Sequence, residues 1–445
     1  MRRAAGLFII IAFMAAYAIS PDYWGGPEGA SATISFGFLL IAAYLFGDIL
    51  SRANFPKITG YIIAGILAGP YAAGLITTGT VADLKLLDNL ALAFIALSAG
   101  GELNLGELRR RSSSLCLGVL FQVIGVFAGI FCLIFLGRGF IPFLDGASMP
   151  VVLAAAALIG VLSIARSPSS AIAVISESKA KGPFTETALG VIVIIDVLVI
   201  ALFAAAISTA LAITRPDADP DVVFLITVGM ELIGSIGAGI VLGWAIGVYL
   251  SRIGAEIPVL ILAVAFLVSF FSEQFAGFLD SFYEIRFHLE PMLICITCGF
   301  YIRNFTKKGE FFTNQLDRLS LPVYVLFFSL IGASLDLSVL RQTWILAVLL
   351  AIGRGFFIWA SAWLSGSINR DPPVFAKMAG FTYIAQAGVS IGLCSILANN
   401  FPDWGEAAAP TMVAMIFINQ MIGPVTFKYA LEKVGEAGAK QWGRP

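Results

Sequence analysis

Leu189-Gly190-Val191-Ile192-Val193-Ile194-Ile195-Asp196-Val197-Leu198-Val199-Ile200 places one acid in an otherwise apolar run. Asp196 is the only ionisable residue between Glu186 and Arg215. That interval is long enough for a helix to cross a bilayer, which takes about 20 residues. Asp196 then lies near mid-membrane. A carboxylate at that depth costs about 2.5–3.5 kcal/mol on insertion scales, and such residues mark ion or proton pathways. The stretch makes the chain a membrane protein and Asp196 its first candidate ion- or proton-binding residue.

The composition agrees. Mean hydropathy is +0.93, and 59% of residues are hydrophobic against 12% charged. Soluble domains carry about 25% charged residues. In 445 residues this leaves a polytopic membrane protein with no room for a large soluble domain. The net charge of −1 is spread over short loops and gives no nucleic-acid signature. No Gly-rich nucleotide-binding domain follows residue 431. One histidine, His288, and no H-E-x-x-H or clustered metal ligands argue against a membrane enzyme and against a resident metal or cofactor. Cys295 and Cys298 form a C-x-x-C without a second Cys or His pair. They read as small apolar residues on one helix face rather than a zinc or redox site.

Hydropathy predicts an all-α protein with about 13–14 spans. The segments are 4–20, 33–51, 58–76, 87–101, 112–137, 150–177, 186–213, 222–251, 257–275, 288–303, 319–335, 342–366, 375–399 and 406–431. The shorter ones, 87–101 and 288–303, read as tilted or half-buried helices. Residues 1–32 hold an N-terminal helix, read as a retained first span with a signal peptide as the alternative, and an outer loop. Positive charge orients the spans. Twenty of the 27 lysines and arginines fall in one set of loops, which the positive-inside rule makes cytoplasmic. Arg166 and Arg354 lie inside helices. The expectation is a multi-pass protein of the inner (cytoplasmic) membrane, with the tail at 432–445 in the cytoplasm. The outer loops carry Asp22, Glu28, Asp145, Asp217, Asp219, Asp221, Asp280, Asp403 and Glu406. They read as solvated loops that balance this bias.

Two spans are interrupted at mid-depth. The first break reads Ser163-Ile164-Ala165-Arg166-Ser167-Pro168-Ser169-Ser170, and the second Tyr383-Ile384-Ala385-Gln386-Ala387-Gly388-Val389-Ser390. Pro168 removes a backbone donor and clashes with the preceding turn. Freed backbone at that depth is tolerated only inside protein or beside a watery cavity. Broken helices in matching positions of two halves point to a transporter binding site. Taking 58–76 and 288–303 as first helices gives two five-helix repeats, about 58–213 and 288–431, with 222–275 as linker. Both fourth helices are then broken, and the fifth carry Asp196 and Asn419. An odd helix number per repeat makes the repeat inverted. Gln122 and Asn419 read as inter-helix hydrogen-bond glue.

Several motifs carry a family resemblance. They are Ile58-Thr59-Gly60-Tyr61-Ile62-Ile63-Ala64-Gly65-Ile66-Leu67-Ala68-Gly69-Pro70, then Leu97-Ser98-Ala99-Gly100-Gly101-Glu102-Leu103. Phe327-Phe328-Ser329-Leu330-Ile331-Gly332-Ala333-Ser334-Leu335-Asp336 and Ala385-Gln386-Ala387-Gly388-Val389-Ser390 follow in order. With Asp196 between them, the chain resembles the monovalent cation/proton antiporter superfamily over 33–431. The likeness is to its potassium-efflux-like and sodium/proton branches. The resemblance implies crossed discontinuous helices beside an essential aspartate, a separate helix panel forming a homodimer interface, and alternating access. Asp196 matches that aspartate, and Arg354 a basic residue on the third helix of the second repeat. The chain departs from the pattern twice. Ile195 stands where relatives carry Asp or Asn, which favours 1:1 exchange. Arg166-Ser167-Pro168 stands where sodium-type members often carry Thr-Asp-Pro.

The expected function is exchange of protons for Na+ or K+. Asp196 is neutralised by one ion or the other. Ser163, Ser167, Ser169, Ser170 and freed carbonyls supply oxygen ligands. Arg354 and Arg166 compensate charge, and Gln386, Gly388 and Ser390 belong to the second broken helix. The alternative is a sodium-coupled symporter of a small organic anion, for which Arg166 would bind solute.

Overall fold

The computed structural model describes residues 2–19, 30–214, 222–283, 287, 289–386 and 388–438. Every regular element among them is helical. In chain order these are α1 (Arg2–Ile19), α2 (Ala30–Ser51), α3 (Lys57–Ala68), α4 (Thr78–Asp83), α5 (Lys85–Glu102) and α6 (Leu105–Arg110). Next come α7 (Ser112–Gly137), α8 (Met149–Leu162), α9 (Pro168–Ser178), α10 (Pro183–Thr214), α11 (Val222–Arg252) and α12 (Ile257–Tyr283). Last are α13 (Pro291–Phe305), α14 (Gly309–Ala333), α15 (Leu337–Ile368), α16 (Pro373–Ala379), α17 (Gly388–Asn400) and α18 (Gly405–Val434). Each of the fourteen expected spans meets a helix or a broken pair. Among the described residues, seven helices are long and apolar enough to cross a membrane unbroken. The expectations for Asp22, Glu28, Asp217, Asp219, Asp221, His288 and Ala387, and for the tail beyond 438, lie outside the described residues.

Boundaries shift where local chemistry overrides hydropathy. The span expected over 58–76 ends at Ala68, because Gly69 precedes Pro70 and is extended, with φ −67° and ψ 169°. A residue before proline is pushed out of the helical region. α14 starts at Gly309, ten residues before its apolar stretch.

The chain divides into two compact units. The first comprises Met1–Glu102, Gly239–Phe275 and Ile294–Ser338. The second comprises Leu103–Ala238, Ala276–Leu293 and Val339–Pro445. Each draws on both segments that the sequence reading set as repeats.

In the first unit helices meet at glycines. A Cβ at Gly65 of α3 would overlap the Ser329 carbonyl of α14, and one at Gly332 of α14 the Ile62 carbonyl of α3. A Cβ at Gly100 of α5 would overlap the Ile296 carbonyl of α13, and one at Gly299 the Leu97 carbonyl. Small residues let membrane helices approach to backbone contact. Met14, Phe38, Leu39, Ala68, Leu326 and Leu330 fill the core beside these crossings.

The second unit is built around α10. It packs on α7, α8 and α9 and touches α16 and α17. α18 packs on α9, α16 and α17.

Candidate functional site

The first break runs from Ser163 to Ser167, between α8 and α9. Pro168 opens α9 at its first position, where a missing N–H costs nothing. Ser167 caps that helix, its Oγ accepting from Ser170 N at 3.2 Å. Proline therefore restarts this span as well as ending it. The second break follows a 3-10 turn over Gly380–Thr382, and the helix resumes at Gly388.

The two breaks touch. Ser167 N donates to Ala385 O at 3.1 Å. Gln386 Nε2 donates to Leu162 O at 3.0 Å and accepts on Oε1 from Asn419 Nδ2 at 2.9 Å. Arg354, wholly buried in α15, spans both breaks. It donates to Ser163 O at 2.8 Å, Ala165 O at 2.8 Å and Ile384 O at 2.7 Å. Arg166 donates to Ser163 O at 3.2 Å, Ala165 O at 3.1 Å and Gln122 Oε1 at 2.7 Å. Gln122 also donates to Ile358 O at 2.8 Å. The unpaired carbonyls at the end of α8 thus meet two guanidinium groups. This answers the demand that buried backbone be satisfied and matches cations to a helix C-terminus.

Asp196 lies near the middle of α10 and is 5% exposed. Its Oδ1 is buried without a hydrogen-bond partner. Ion pairs join Arg52 to Asp48, Arg110 to Glu107 and Arg303 to Glu310. Neither Arg354 nor Arg166 is paired with Asp196. The expectation that these arginines compensate its charge therefore takes a different form here: Arg354 bonds to three carbonyls, and the two terminal nitrogens of Arg166 bond to carbonyls and to Gln122 while its Nε is buried without a hydrogen-bond partner. A bare carboxylate oxygen in a buried site can be completed by a proton or by a metal cation.

The serines divide. Ser167 Oγ lies 3.0 Å from Ser169 Oγ and 2.9 Å from Ser170 Oγ. Ser170 Oγ meets the side-chain amide of Gln420 at 2.9 and 3.1 Å. Ser163 stands apart, its hydroxyl donating back to Ile159 O at 2.8 Å while its carbonyl serves the arginines. Ser390 Oγ is buried without a partner. Gly388 begins α17.

Sequence reasoning took Gln122 and Asn419 as inter-helix glue, and both do bond across helices. It did not assign them to the crossing, where they orient Arg166 and Gln386. It missed Gln420, which closes the serine cluster from α18. The signal was present: Asn419-Gln420 is an adjacent polar pair within an apolar stretch. It also missed Glu436. The carboxylate of Glu436 accepts from Phe184 N at 2.8 Å, Thr185 N at 2.7 Å and Thr185 Oγ1 at 2.7 Å. A residue just beyond α18 thereby caps the helix that carries Asp196.

Known proteins share this architecture. Two determinations of the sodium proton antiporter MjNhaP1 from Methanocaldococcus jannaschii superpose on the chain. One, at pH 8, gives a TM-score of 0.63 at 18% identity and covers 91% of this chain and 96% of that one. The other, from electron microscopy, gives 0.68 at 17% identity and covers 91% and 98%. At such identity the likeness concerns the fold alone. In sequence, the Na(+)/H(+)-K(+) antiporter GerN of Bacillus cereus is 26% identical over 412 residues, 88% of this chain and 94% of GerN. The model of the transmembrane sodium/hydrogen exchanger family matches residues 37–433, and this chain belongs to that family of transporters.

Proposed function

We propose that the chain exchanges protons for a monovalent cation, Na+ or K+, by alternating access, with Asp196 as the shared carboxylate. The carrying observation is its buried, unpartnered Oδ1 on the helix that packs against both halves of the first broken span. A proton and a metal ion compete for that oxygen. If the site changes sides only when neutralised, exchange follows without further parts. Ile195 leaves one carboxylate at this point of α10, which supports 1:1 stoichiometry. The Ser167–Ser169–Ser170 cluster offers oxygen to a dehydrating cation. The arginines hold the crossing together, so the site empties without a fixed ion pair.

The same reading places the chain in the cytoplasmic membrane as a homodimer, both termini facing the cytoplasm. No resident cofactor takes part; the cations and protons are cargo. An organic-anion symporter would want free guanidinium donors; all three nitrogens of Arg354 are bonded to carbonyls, and Arg166 keeps only Nε unpartnered. The test is a proteoliposome holding a pH-sensitive dye, challenged in turn with Na+, K+ and Li+. Asp196→Asn is expected to abolish cation-driven proton flux while the protein stays monodisperse; flux that survives the substitution would sink the assignment.

A further inference from the structure

The first unit contains a pocket that exchange leaves unused. It lies between the loop after α3, the short α4, the start of α5 and the end of α14, and encloses about 350 Å3. Pockets that hold small ligands begin at about 300 Å3. The walls are mainly apolar, with Val81, Leu84, Leu330 and Ile331 among them. Two charged residues, Lys85 and Asp88, share the lining, three positions apart on α5.

Backbone bonds hold the pocket in shape. Gly74 N donates to Gly69 O at 3.0 Å and Ile76 N to Ala68 O at 3.1 Å, so the loop folds back on the end of α3. Thr77 caps α4, its Oγ1 accepting from Thr80 N at 3.2 Å. Leu84 O accepts from Leu87 N at 3.0 Å and from Asp88 N at 3.3 Å, which joins α4 directly to α5. Ala68, Ile76, Leu84 and Leu330 belong to the core of this unit.

One atom of the lining residues lacks what its surroundings demand. Asp88 Oδ1 is buried and has no hydrogen-bond partner. Buried polar atoms are satisfied in the great majority of cases, so this oxygen calls for a donor from outside the chain. The level of the pocket narrows the choice. α14 is long and apolar enough to cross the membrane unbroken, and it ends at Ala333 with Ser334 as its cap. Leu330, Ile331, Ala333 and Ser334 line the pocket, which therefore lies where hydrocarbon gives way to head groups. A simple amine would answer Asp88 but leave Lys85 facing a cation. A simple phosphate would answer Lys85 but face Asp88. An occupant that suits both carries an ammonium, an anion and an apolar tail.

We propose that this pocket binds a zwitterionic phospholipid whose head ends in a primary ammonium, of the phosphatidylethanolamine kind. The ammonium donates to Asp88 Oδ1, the phosphate faces Lys85, and the chains begin along Val81, Leu330 and Ile331. A choline head cannot make the first contact, because a trimethylammonium has no N–H. The inference concerns the first unit and does not depend on the antiport reading.

The test is the melting temperature of the purified, delipidated full chain in detergent, titrated with dihexanoyl-phosphatidylethanolamine or dihexanoyl-phosphatidylcholine. The ethanolamine lipid is expected to stabilise at concentrations at least about tenfold lower, the factor that one charge-assisted hydrogen bond supplies. Asp88→Asn should erase most of that preference. Lys85→Gln should weaken both lipids alike, since both carry the phosphate. Ala82→Trp, at an exposed position of α4 that lines the pocket, should block both lipids with Asp88 intact, and decides the matter if Asp88→Asn does not fold. Equal effects of the two lipids on the unaltered chain, or none, would overturn the proposal. So would a preference that survives Asp88→Asn or Ala82→Trp. If phosphoethanolamine, the same head without chains, stabilises at the same concentration as the lipid, the pocket takes a free zwitterion and the lipid reading fails.

Discussion

Helices approach closely on glycines in both units, as at Gly65 and Gly423, but the second unit adds buried polar donors to its crossing. In the first unit α3 meets α14, and α5 meets α13, where glycine lets one backbone lie on another. At these crossings the helices run on unbroken, although α14 carries an internal proline, Pro322. In the second unit the crossing helices are broken, and freed carbonyls must find donors. Arg354, Arg166 and Gln386 supply them. Glycine gives closeness without chemistry. The arginine crossing gives an interior where a carboxylate, hydroxyls and carbonyls coexist at membrane depth. A cation site requires the second kind.

The largest effect expected from breaking this contrast is at Arg354. Arg354→Ala removes three hydrogen bonds, taking the donor from Ile384 O and leaving Ser163 O and Ala165 O to Arg166 alone, and bonds to charged donors contribute about 1.5–3 kcal/mol each. The variant should lose several kcal/mol and fail to give monodisperse protein in detergent. Arg354→Lys should not rescue it, since an ammonium lacks the planar fork that reaches three acceptors. A stable, active Arg354→Ala protein would show that the crossing does not depend on the guanidinium.

Next in size is the glycine crossing. Gly65→Val drives a side chain into the Ser329 carbonyl. Overpacking of this kind costs about 1–3 kcal/mol. A lowered melting temperature is expected, with transport per folded molecule largely kept. If Gly65→Val instead leaves stability intact and stops transport, the first unit is more than scaffold.

Glu436→Ala tests the second unit from its edge. Losing a helix cap costs about 0.5–2 kcal/mol. Melting should shift by that amount, and Glu436→Gln should recover part of it. The smallest effect belongs to Ser390→Ala. Its hydroxyl has no partner, so stability should stay within about 0.5 kcal/mol. A change in apparent cation affinity there would add Ser390 to the ligand set and sharpen where the ion sits.

The sequence made some of this legible for physical reasons. Asp196 stood out because a lone acid in an apolar run is expensive. The breaks stood out because Pro168 and clustered serines cannot continue a membrane helix cheaply. The family motifs held their order over nearly the whole chain. The fate of the arginines was not legible. Arg354 bonds to carbonyls about 190 residues earlier, and every residue has a carbonyl, so composition gives no hint of which is free. Charge compensation by Arg354 and Arg166 was the expectation. It missed that a helix end can satisfy a guanidinium as well as a carboxylate can. Ser163 showed the converse: its residue type suggested a ligand hydroxyl, yet its backbone oxygen does the bonding. Gln420 and Glu436 were missed because each acts on a partner some 250 residues away.

The turn that follows α18 has a practical consequence. Residues 435–438 fold back, with Gly435 at φ 77°, Lys181 N donating to Glu436 O at 3.2 Å and Gly438 N donating to Ser178 O at 2.9 Å. A purification tag or fluorescent reporter spliced on before Gly438 would strip or crowd this hook. Its influence would reach the start of the helix bearing Asp196. Sluggish transport in such a fusion would then be an artefact of the handle. A junction placed several residues beyond Gly438 avoids it.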